Sequence, residues 1–141
     1  MNPSDISGTS FSLVDAAGRI RAKLSVVDGA PALVLLDEQN QTRLRVGLSA
    51  QGLPHVFLLG IPDAEPTLKI ECDPLGGHVL LNNGGKQQSY LFLKNTGASG
   101  LVLFGANGQR QAELLVDPAG SPRWTLWDSS GQVIAASTPT V

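Results

Sequence analysis

The segment Phe11-Ser-Leu-Val-Asp-Ala-Ala-Gly-Arg-Ile-Arg-Ala-Lys-Leu24 holds, in order, a short apolar strand, a turn and a second strand. Apolar residues alternate before the turn at Phe11 and Leu13 and after it at Ala22 and Leu24, and a period of two predicts β-strands. Asp15-Ala-Ala-Gly18 has the residues of a tight turn, because Asp can bond its own backbone two residues on and Gly tolerates positive φ. The segment therefore predicts a β-hairpin.

This hairpin pattern recurs six times along the chain. The Leu near the end of each first strand returns every 22 or 23 residues, at Leu13, Leu35, Leu58, Leu81, Leu103 and Leu126. A period of this size is typical of repeat architectures, in which one unit cannot bury its apolar face alone. Glycine and proline close most units, and they mark a second, looser turn where the chain enters the next unit.

No segment has a helical period, so the predicted class is all-β. We expect six tandem β-hairpin repeats over residues 11–137 that form a stacked hairpin solenoid or prism, with an N-terminal arm at residues 1–10 and a C-terminal tail at 138–141. The alternative is a β-trefoil, which also contains six hairpins. A trefoil groups its hairpins into three modules, whereas here units one and two match each other best, as do units five and six.

The two strands of a unit differ in polarity. Second strands alternate apolar residues with charged ones such as Arg21 and Lys23. First strands are apolar on both faces, and such a strand needs cover on both sides. We expect one face to line the core of the chain and the other to meet a second layer or a neighbouring subunit. The residues predicted to form an oligomer interface are Val14, Leu36, Leu59, Phe104 and Trp127.

Composition excludes several classes of function. The chain has 141 residues, which suits one domain, and its net charge of −2 offers no electrostatic surface for nucleic acid. Cys72 is the only cysteine, so no internal disulfide forms.

We expect no membrane insertion, because no apolar run is long enough to span a membrane as a helix. Residues 1–10 lack the pattern of a signal peptide. The default expectation is a cytoplasmic protein, and the alternative is assembly on a virion or cell surface by a non-classical route.

Few residues suggest chemistry. His55 and His78 occupy the same position in successive units and could ligate a metal, but only two of six units carry His there and no acidic partner recurs beside them. Single Asp residues in the turns do not supply the six or more oxygens of a calcium site. Trp127 could stack on a ligand, whereas Trp124 occupies a core position of the repeat. No nucleophile–His–acid set converges. The sequence predicts no enzyme and no catalytic, cofactor or metal site.

The unit F-x-L-x-D-x-x-G-x-x-R-A-x-L, read from Phe11 to Leu24, resembles repeats in uncharacterised bacterial proteins, and Leu126-Trp-Asp-Ser-Ser-Gly-Gln-Val-Ile134 is similar to their terminal repeat. Units three and four depart from the pattern at 61–66 and 82–86. The resemblance implies tandem repetition and carries no biochemical activity. The units also resemble, more weakly, the hairpin repeats of trimeric viral fibre shafts.

These patterns favour a non-enzymatic structural or self-assembly module, such as a fibre, spike or scaffold segment. The expected partner is the same chain in a homo-oligomer, with a trimer favoured. The alternative function is a lectin-like β module that binds a carbohydrate or protein ligand, so a glycan or protein partner stays open at this point.

Overall fold

The computed structural model describes residues 7–27, 29–60 and 66–137, with the side chain of Val27 left out. These residues form twelve strands in one antiparallel sheet, whose spatial order is the order of the sequence. The strands are β1 (Ser10–Val14), β2 (Ile20–Val27), β3 (Ala30–Leu36), β4 (Thr42–Leu48), β5 (Pro54–Leu58), β6 (Leu68–Asp73), β7 (Gly76–Asn83), β8 (Lys86–Lys94), β9 (Ser99–Phe104), β10 (Arg110–Val116), β11 (Pro122–Trp127) and β12 (Val133–Ala136).

The all-β prediction is confirmed, and the described residues contain no helix. Each predicted unit supplies one odd-numbered strand and the following even-numbered strand, in a hairpin. The prism, the trimer and the trefoil alternative stay predictions. Residues 1–6 of the predicted arm at 1–10 lie outside the described residues. Ser10, the last residue of the predicted arm, belongs to β1. The tail at 138–141 lies outside the described residues entirely, as do residues 61–65 of the segment 61–66 where unit three departs from the repeat.

The D-x-x-G turns form as predicted. Asp15 Oδ1 accepts hydrogen bonds from the backbone N–H groups of Ala17 at 2.9 Å and Arg19 at 3.0 Å. Gly18 has φ 77°, and Asn40, which replaces glycine in the second unit, has φ 61°. Asn is one of the few residues that tolerate this left-handed conformation. The short polar side chains therefore set the hairpin turns locally.

The turns between units differ from the expectation of looser connections. The N–H of Gly120 donates to the carbonyl oxygen of Asp117 at 2.9 Å, and Asp117 Oδ1 accepts from the N–H groups of Ala119 and Ser121, both at 2.9 Å. Gly52 donates to the carbonyl oxygen of Ser49 in the same way, at 2.9 Å. These turns are as tight as those inside the units, because a side-chain oxygen of Asp117 or Ser49 accepts from the turn N–H groups as that of Asp15 does.

β-Bulges recur at one level of the sheet. The register shifts at the end of β1, β3, β7, β9 and β11, directly after the recurring Leu in each case. The extra residue in the facing strand is Arg21 in β2 and Gln111 in β10. A bulge bends its strand and increases its twist. Five bulges in line therefore bend the sheet along one crease that crosses the strands.

The sheet is a single layer. Each strand contacts only its neighbours in sequence, and the described strands place no second layer on either face. Among the described residues only Val102 and His55 are buried, at 3% and 8% exposure. We expected one face of the first strands to line the core of the chain. Instead, one chain leaves that face open, because twelve short strands in sequence order extend sideways and do not fold back.

Candidate binding surface: the leucine face

One face of the sheet, here named the leucine face, carries a row that crosses all twelve strands and is apolar at every position except Ser89. The registers connect Leu13 to Ala22, Ala22 to Leu35, and so on without interruption to the last strand. The row contains Leu13, Ala22, Leu35, Leu44, Leu58, Leu68, Leu81, Ser89, Leu103, Ala112, Leu126 and Ala135. The constant spacing of the repeat places the recurring Leu at the same level in every odd strand.

A second row lies two residues away on the same face, and every member is apolar. It contains Phe11, Leu24, Leu33, Val46, Val56, Ile70, Val79, Leu91, Leu101, Leu114 and Trp124. Part of a third row follows at Val26, Pro31, Leu93 and Val116. Neither of the first two rows contains a charged residue. Because residues two apart share a face, the period of two in the sequence produces these rows directly.

The leucine face is open to solvent in the single chain. Most of its large apolar side chains are exposed, from 38% at Leu126 to 66% at Leu13, whereas Leu44, Val56, Leu68 and Val79 are half-buried. Its exposed large apolar residues are Phe11, Leu13, Leu24, Val26, Leu33, Leu35, Val46, Leu58, Ile70, Leu81, Leu91, Leu93, Leu101, Leu103, Leu114, Trp124 and Leu126. A soluble monomer rarely leaves so continuous an apolar surface uncovered. Burying the exposed parts of these side chains would contribute on the order of 10–20 kcal/mol.

Two grooves shape this face. The larger, of about 500 Å³, lies near the first units and is lined by Leu24, Leu33, Val46 and Ile70 among others. The smaller, of about 290 Å³, is lined by Leu101, Leu103, Leu114, Trp124 and Leu126. Both grooves are apolar, so they suit aliphatic or aromatic side chains of a partner.

The opposite face, here named the mixed face, combines charged and aromatic residues. Lys23, Arg45, Lys69 and Glu113 lie on one row of it, together with Phe57, Tyr90 and Val102. Long side chains cover the rings: Lys69 Nζ lies 5.8 Å from the centre of the Phe57 ring, and Lys94 Nζ lies 5.6 Å from that of Phe92. The Tyr90 and Phe92 rings stack with centres 5.1 Å apart. The predicted alternation of apolar and charged residues in the second strands matches the two faces.

The five residues predicted as an oligomer interface stand at the ends of the first strands, and strand alternation points them away from the leucine face. Leu36, Leu59, Phe104 and Trp127 are half-buried, whereas Val14 is 55% exposed. Val14, Leu36, Phe104 and Trp127 lie at bulges, and Leu59 follows β5 directly. Their contact with another chain stays a prediction. The sequence pattern predicted that the recurring Leu residues line an internal core, so it did not indicate the leucine face as an open surface.

The two histidines lie on neighbouring odd strands with Glu71 between them. His55 pairs with Glu71 across β5 and β6, and Glu71 pairs with His78 across β6 and β7. His78 Nε2 lies 3.7 Å from Glu71 Oε2 and 4.0 Å from Asp73 Oδ2. The expectation that the histidines have no acidic neighbour is wrong for His78, because Glu71 lies on the adjacent strand β6. The signal was present in the repeat, since the hairpin register places Glu71 opposite both histidines.

The surroundings of the histidines favour packing over ligand chemistry. The His55 ring stacks on Phe57 with centres 4.3 Å apart. Burial raises the pKa of the nearby Tyr90 hydroxyl, and the charge of Asp73 adds to this effect. In the described part of the chain, no three His, Cys, Asp or Glu side chains are arranged to hold a metal ion. Cys72 is exposed and unpaired.

Comparison with known proteins adds no assignment. No protein-family model matches the chain, and no curated protein matches its sequence. The resemblance to bacterial hairpin repeats and to fibre shafts therefore stays a prediction. Within the described residues, no helix is long and apolar enough to cross a bilayer.

Proposed function

We propose that the chain is a non-enzymatic self-assembly module whose copies cover one another's leucine faces in a homo-oligomer, with a trimer favoured. The observation that carries this proposal is the pair of uncharged, mostly apolar rows, one across twelve strands and one across eleven, whose large side chains are mostly exposed in one chain. An identical copy offers a surface of the same length, the same row spacing and the same absence of charge. In a closed symmetric assembly every copy makes the same contact, so the leucine face of each copy is covered.

The available area is sufficient for a stable interface. Strands lie about 4.8 Å apart, so the sheet is about 53 Å wide, and three rows on one face cover about 20 Å along the strands. The leucine face therefore presents about 1,000 Å², and two such faces bury about 2,000 Å² in total. Stable specific interfaces bury about 1,200–2,000 Å². The uncovered face of this chain is as large as an interface needs.

Strand length supports three copies. The first strands that carry the recurring Leu contain 5 to 8 residues, from β5 to β7. At about 3.3 Å per residue each is about 17–26 Å long. Three sheets arranged as a triangular prism with sides of that length lie about 5–8 Å from the central axis, which is about half to three-quarters of the 10 Å spacing of packed sheets. One layer of Leu side chains from each sheet then fills the interior.

In this prism the apolar rows run parallel to the three-fold axis and the strands lie across it. Each chain then contributes a segment about 53 Å long to a rod with an apolar centre. The mixed faces, with Lys23, Arg45 and Glu113, form the outer surface. This arrangement fits a fibre, spike or scaffold segment.

The mass in solution tests the proposal. In light scattering after size-exclusion chromatography, the smallest species should have about three times the 14.7 kDa mass of the chain. A single species of 14.7 kDa at micromolar concentration would contradict any self-assembly through this face.

Two adjacent residues of β7 provide a matched pair of variants. Leu81 lies on the leucine face at 48% exposure, and Leu80 lies on the mixed face beside Lys69. Leu81→Glu should dissociate the oligomer, whereas Leu80→Glu should keep it, because only the first places a charge in the proposed interface. If Leu81→Glu fails to fold, Leu81→Thr should raise the protein concentration needed for assembly. An unchanged mass for folded Leu81→Glu would refute the leucine-face interface.

A further inference from the structure

Among the strands of residues 7–27, 29–60 and 66–137, β1 and β12 are the two open edges of the sheet, and their outward backbone groups can be assigned. The N–H of Val26 donates to the carbonyl oxygen of Thr9 at 3.3 Å, so the backbone groups of Thr9 and Phe11 face β2. In an antiparallel strand, alternate residues direct their backbone groups to opposite sides. The N–H and carbonyl of Ser12 therefore face the open edge. At the other end, the N–H of Ser137 donates to Trp124 at 2.9 Å, so Ala136 faces the open edge of β12.

Neither edge carries the residues that usually prevent pairing. β1 reads SFSLV and β12 reads VIAA, without a charge or a proline in either strand. Natural sheets commonly protect their edges with lysine, proline or inward-pointing charges. Here the edge residues Leu13, Val14, Val133 and Ile134 are instead 55–66% exposed. Leu35, the equivalent of Leu13 in an internal strand, is 40% exposed because a neighbouring strand covers each side.

The internal pairing between units shows how two copies would join. β2 pairs with β3 through Ala22 opposite Leu35 and Lys23 opposite Val34. In the repeat, Ala135 and Ala136 occupy the positions of Ala22 and Lys23, and Leu13 and Ser12 occupy those of Leu35 and Val34. Even and odd strands run in opposite directions, so β12 of one copy and β1 of a copy displaced along the sheet are antiparallel without any rotation.

We propose that copies of this chain join end to end, with β12 of one copy paired to β1 of the next in the register of β2 and β3. Ala135 then lies opposite Leu13 of the next copy, and Ala136 exchanges backbone hydrogen bonds with Ser12 of the next copy. The leucine row continues across the junction without a gap. A contact between two different surfaces of one molecule repeats indefinitely unless it closes, so it builds a filament. This contact goes beyond the leucine-face oligomer and does not depend on how many chains that oligomer contains.

Disulfide trapping of the full chain tests the register. The double variant Ser12→Cys/Ala136→Cys, made with Cys72→Ser, should form a ladder of covalent multimers on mild oxidation. The two positions lie about 50 Å apart within one chain, too far for an internal bond. Each single-cysteine variant, also with Cys72→Ser, should form dimers at most. A double variant that stays uncrosslinked at concentrations where the leucine-face oligomer forms would refute the end-to-end contact alone.

A proline on the open edge tests the hydrogen bonds. The N–H of Ser12 has no role in the β1–β2 pair, so Ser12→Pro keeps the hairpin and removes one donor from the junction. Native filament length, measured by sedimentation or electron microscopy, should fall at least about tenfold in this variant because two bonds are lost or weakened. The mass of the leucine-face oligomer should stay unchanged. Filaments of unchanged length in Ser12→Pro would contradict the proposal.

Discussion

Asp37 and Arg43 meet across the turn between β3 and β4, where Asp37 Oδ2 accepts a hydrogen bond from Arg43 Nε at 2.6 Å. Arg43 Nη1 also donates to the carbonyl oxygen of Gly60 at 2.8 Å, just past the end of the neighbouring strand β5. In the first unit, Asp15 Oδ2 accepts from Arg19 Nε at 2.8 Å. An arginine beside the turn thus holds the carboxylate that orders the turn, and in the second unit it also connects two hairpins.

Replacing Asp37 with alanine should destabilise the sheet. The change removes the acceptor for the N–H groups of Gln39 and Gln41, both at 2.9 Å, and leaves Arg43 without its carboxylate. Thermal unfolding followed by circular dichroism should show a lower Tm for Asp37→Ala than for Glu38→Ala, an exposed neighbour in the same turn. An equal Tm for the two variants would show that the turn does not need the side chain.

Stability should decrease in acid. Hydrogen bonds from backbone N–H groups lower the pKa of Asp15 and Asp37 below the ordinary value of 3.8, and the Ser130 hydroxyl has the largest part in lowering that of Asp128. A lowered folded-state pKa adds stability that is complete above pH 3.8 and is lost as the pH falls through the folded-state value. The Tm of the natural chain should therefore fall below that pH. A variant with Asn at all three positions should show a smaller fall, and an equal fall would contradict this origin.

Gly100 should not tolerate a side chain. A Cβ at this position would lie 2.7 Å from the carbonyl oxygen of Leu114 and 3.0 Å from Cζ of Phe92. Gly100→Ala should lower the free energy of unfolding by about 1–3 kcal/mol, because overpacking moves neighbouring side chains or backbone. Denaturant titration measures this change, and Ser99→Ala is the control in the same strand. If the free energy of unfolding falls no more than in the control, β10 moves aside without loss of stability and the prediction is wrong.

His55→Phe should stabilise the chain by about 1 kcal/mol, because it replaces an unsatisfied polar atom with an apolar one of similar shape. Nε2 of His55 is buried and has no hydrogen-bond partner among the described residues. His78→Phe is the comparison, since His78 faces Glu71 and Asp73 and should lose stability. If His55→Phe is less stable than the natural chain, the prediction is wrong and Nε2 of His55 has a hydrogen-bond partner in the assembled protein.

The sequence predicted the hairpins well because the determinants of a hairpin are local. The alternation around Leu13, the Asp15 acceptor and the positive φ of Gly18 act within a few residues of one another. The register followed from the same features, since turn length fixes which residues face each other. The row from Leu13 to Ala135 is thus a direct consequence of the spacing between units.

The arrangement of the whole sheet was less predictable. Apolar flanks such as Leu36 and Phe104 indicated that both faces need cover, but pattern alone does not say which face a single chain covers. The structure shows the mixed face half-covered by its own long side chains, as Lys69 covers Phe57, whereas short Leu and Val side chains leave the leucine face open. The pairing of His55 and His78 with Glu71 joins different units, so inspection of one unit at a time missed it.

Because each described strand contacts only the strands beside it in sequence, the number of hairpins sets the width of the sheet. A deletion from one recurring Leu to the next removes one whole internal unit. The strands on either side of the deletion can then pair, because every unit has the same register. Such a deletion should shorten the module by about 10 Å, the width of two strands, without disturbing either end. Gain or loss of whole units would then change the reach of an assembly in fixed steps.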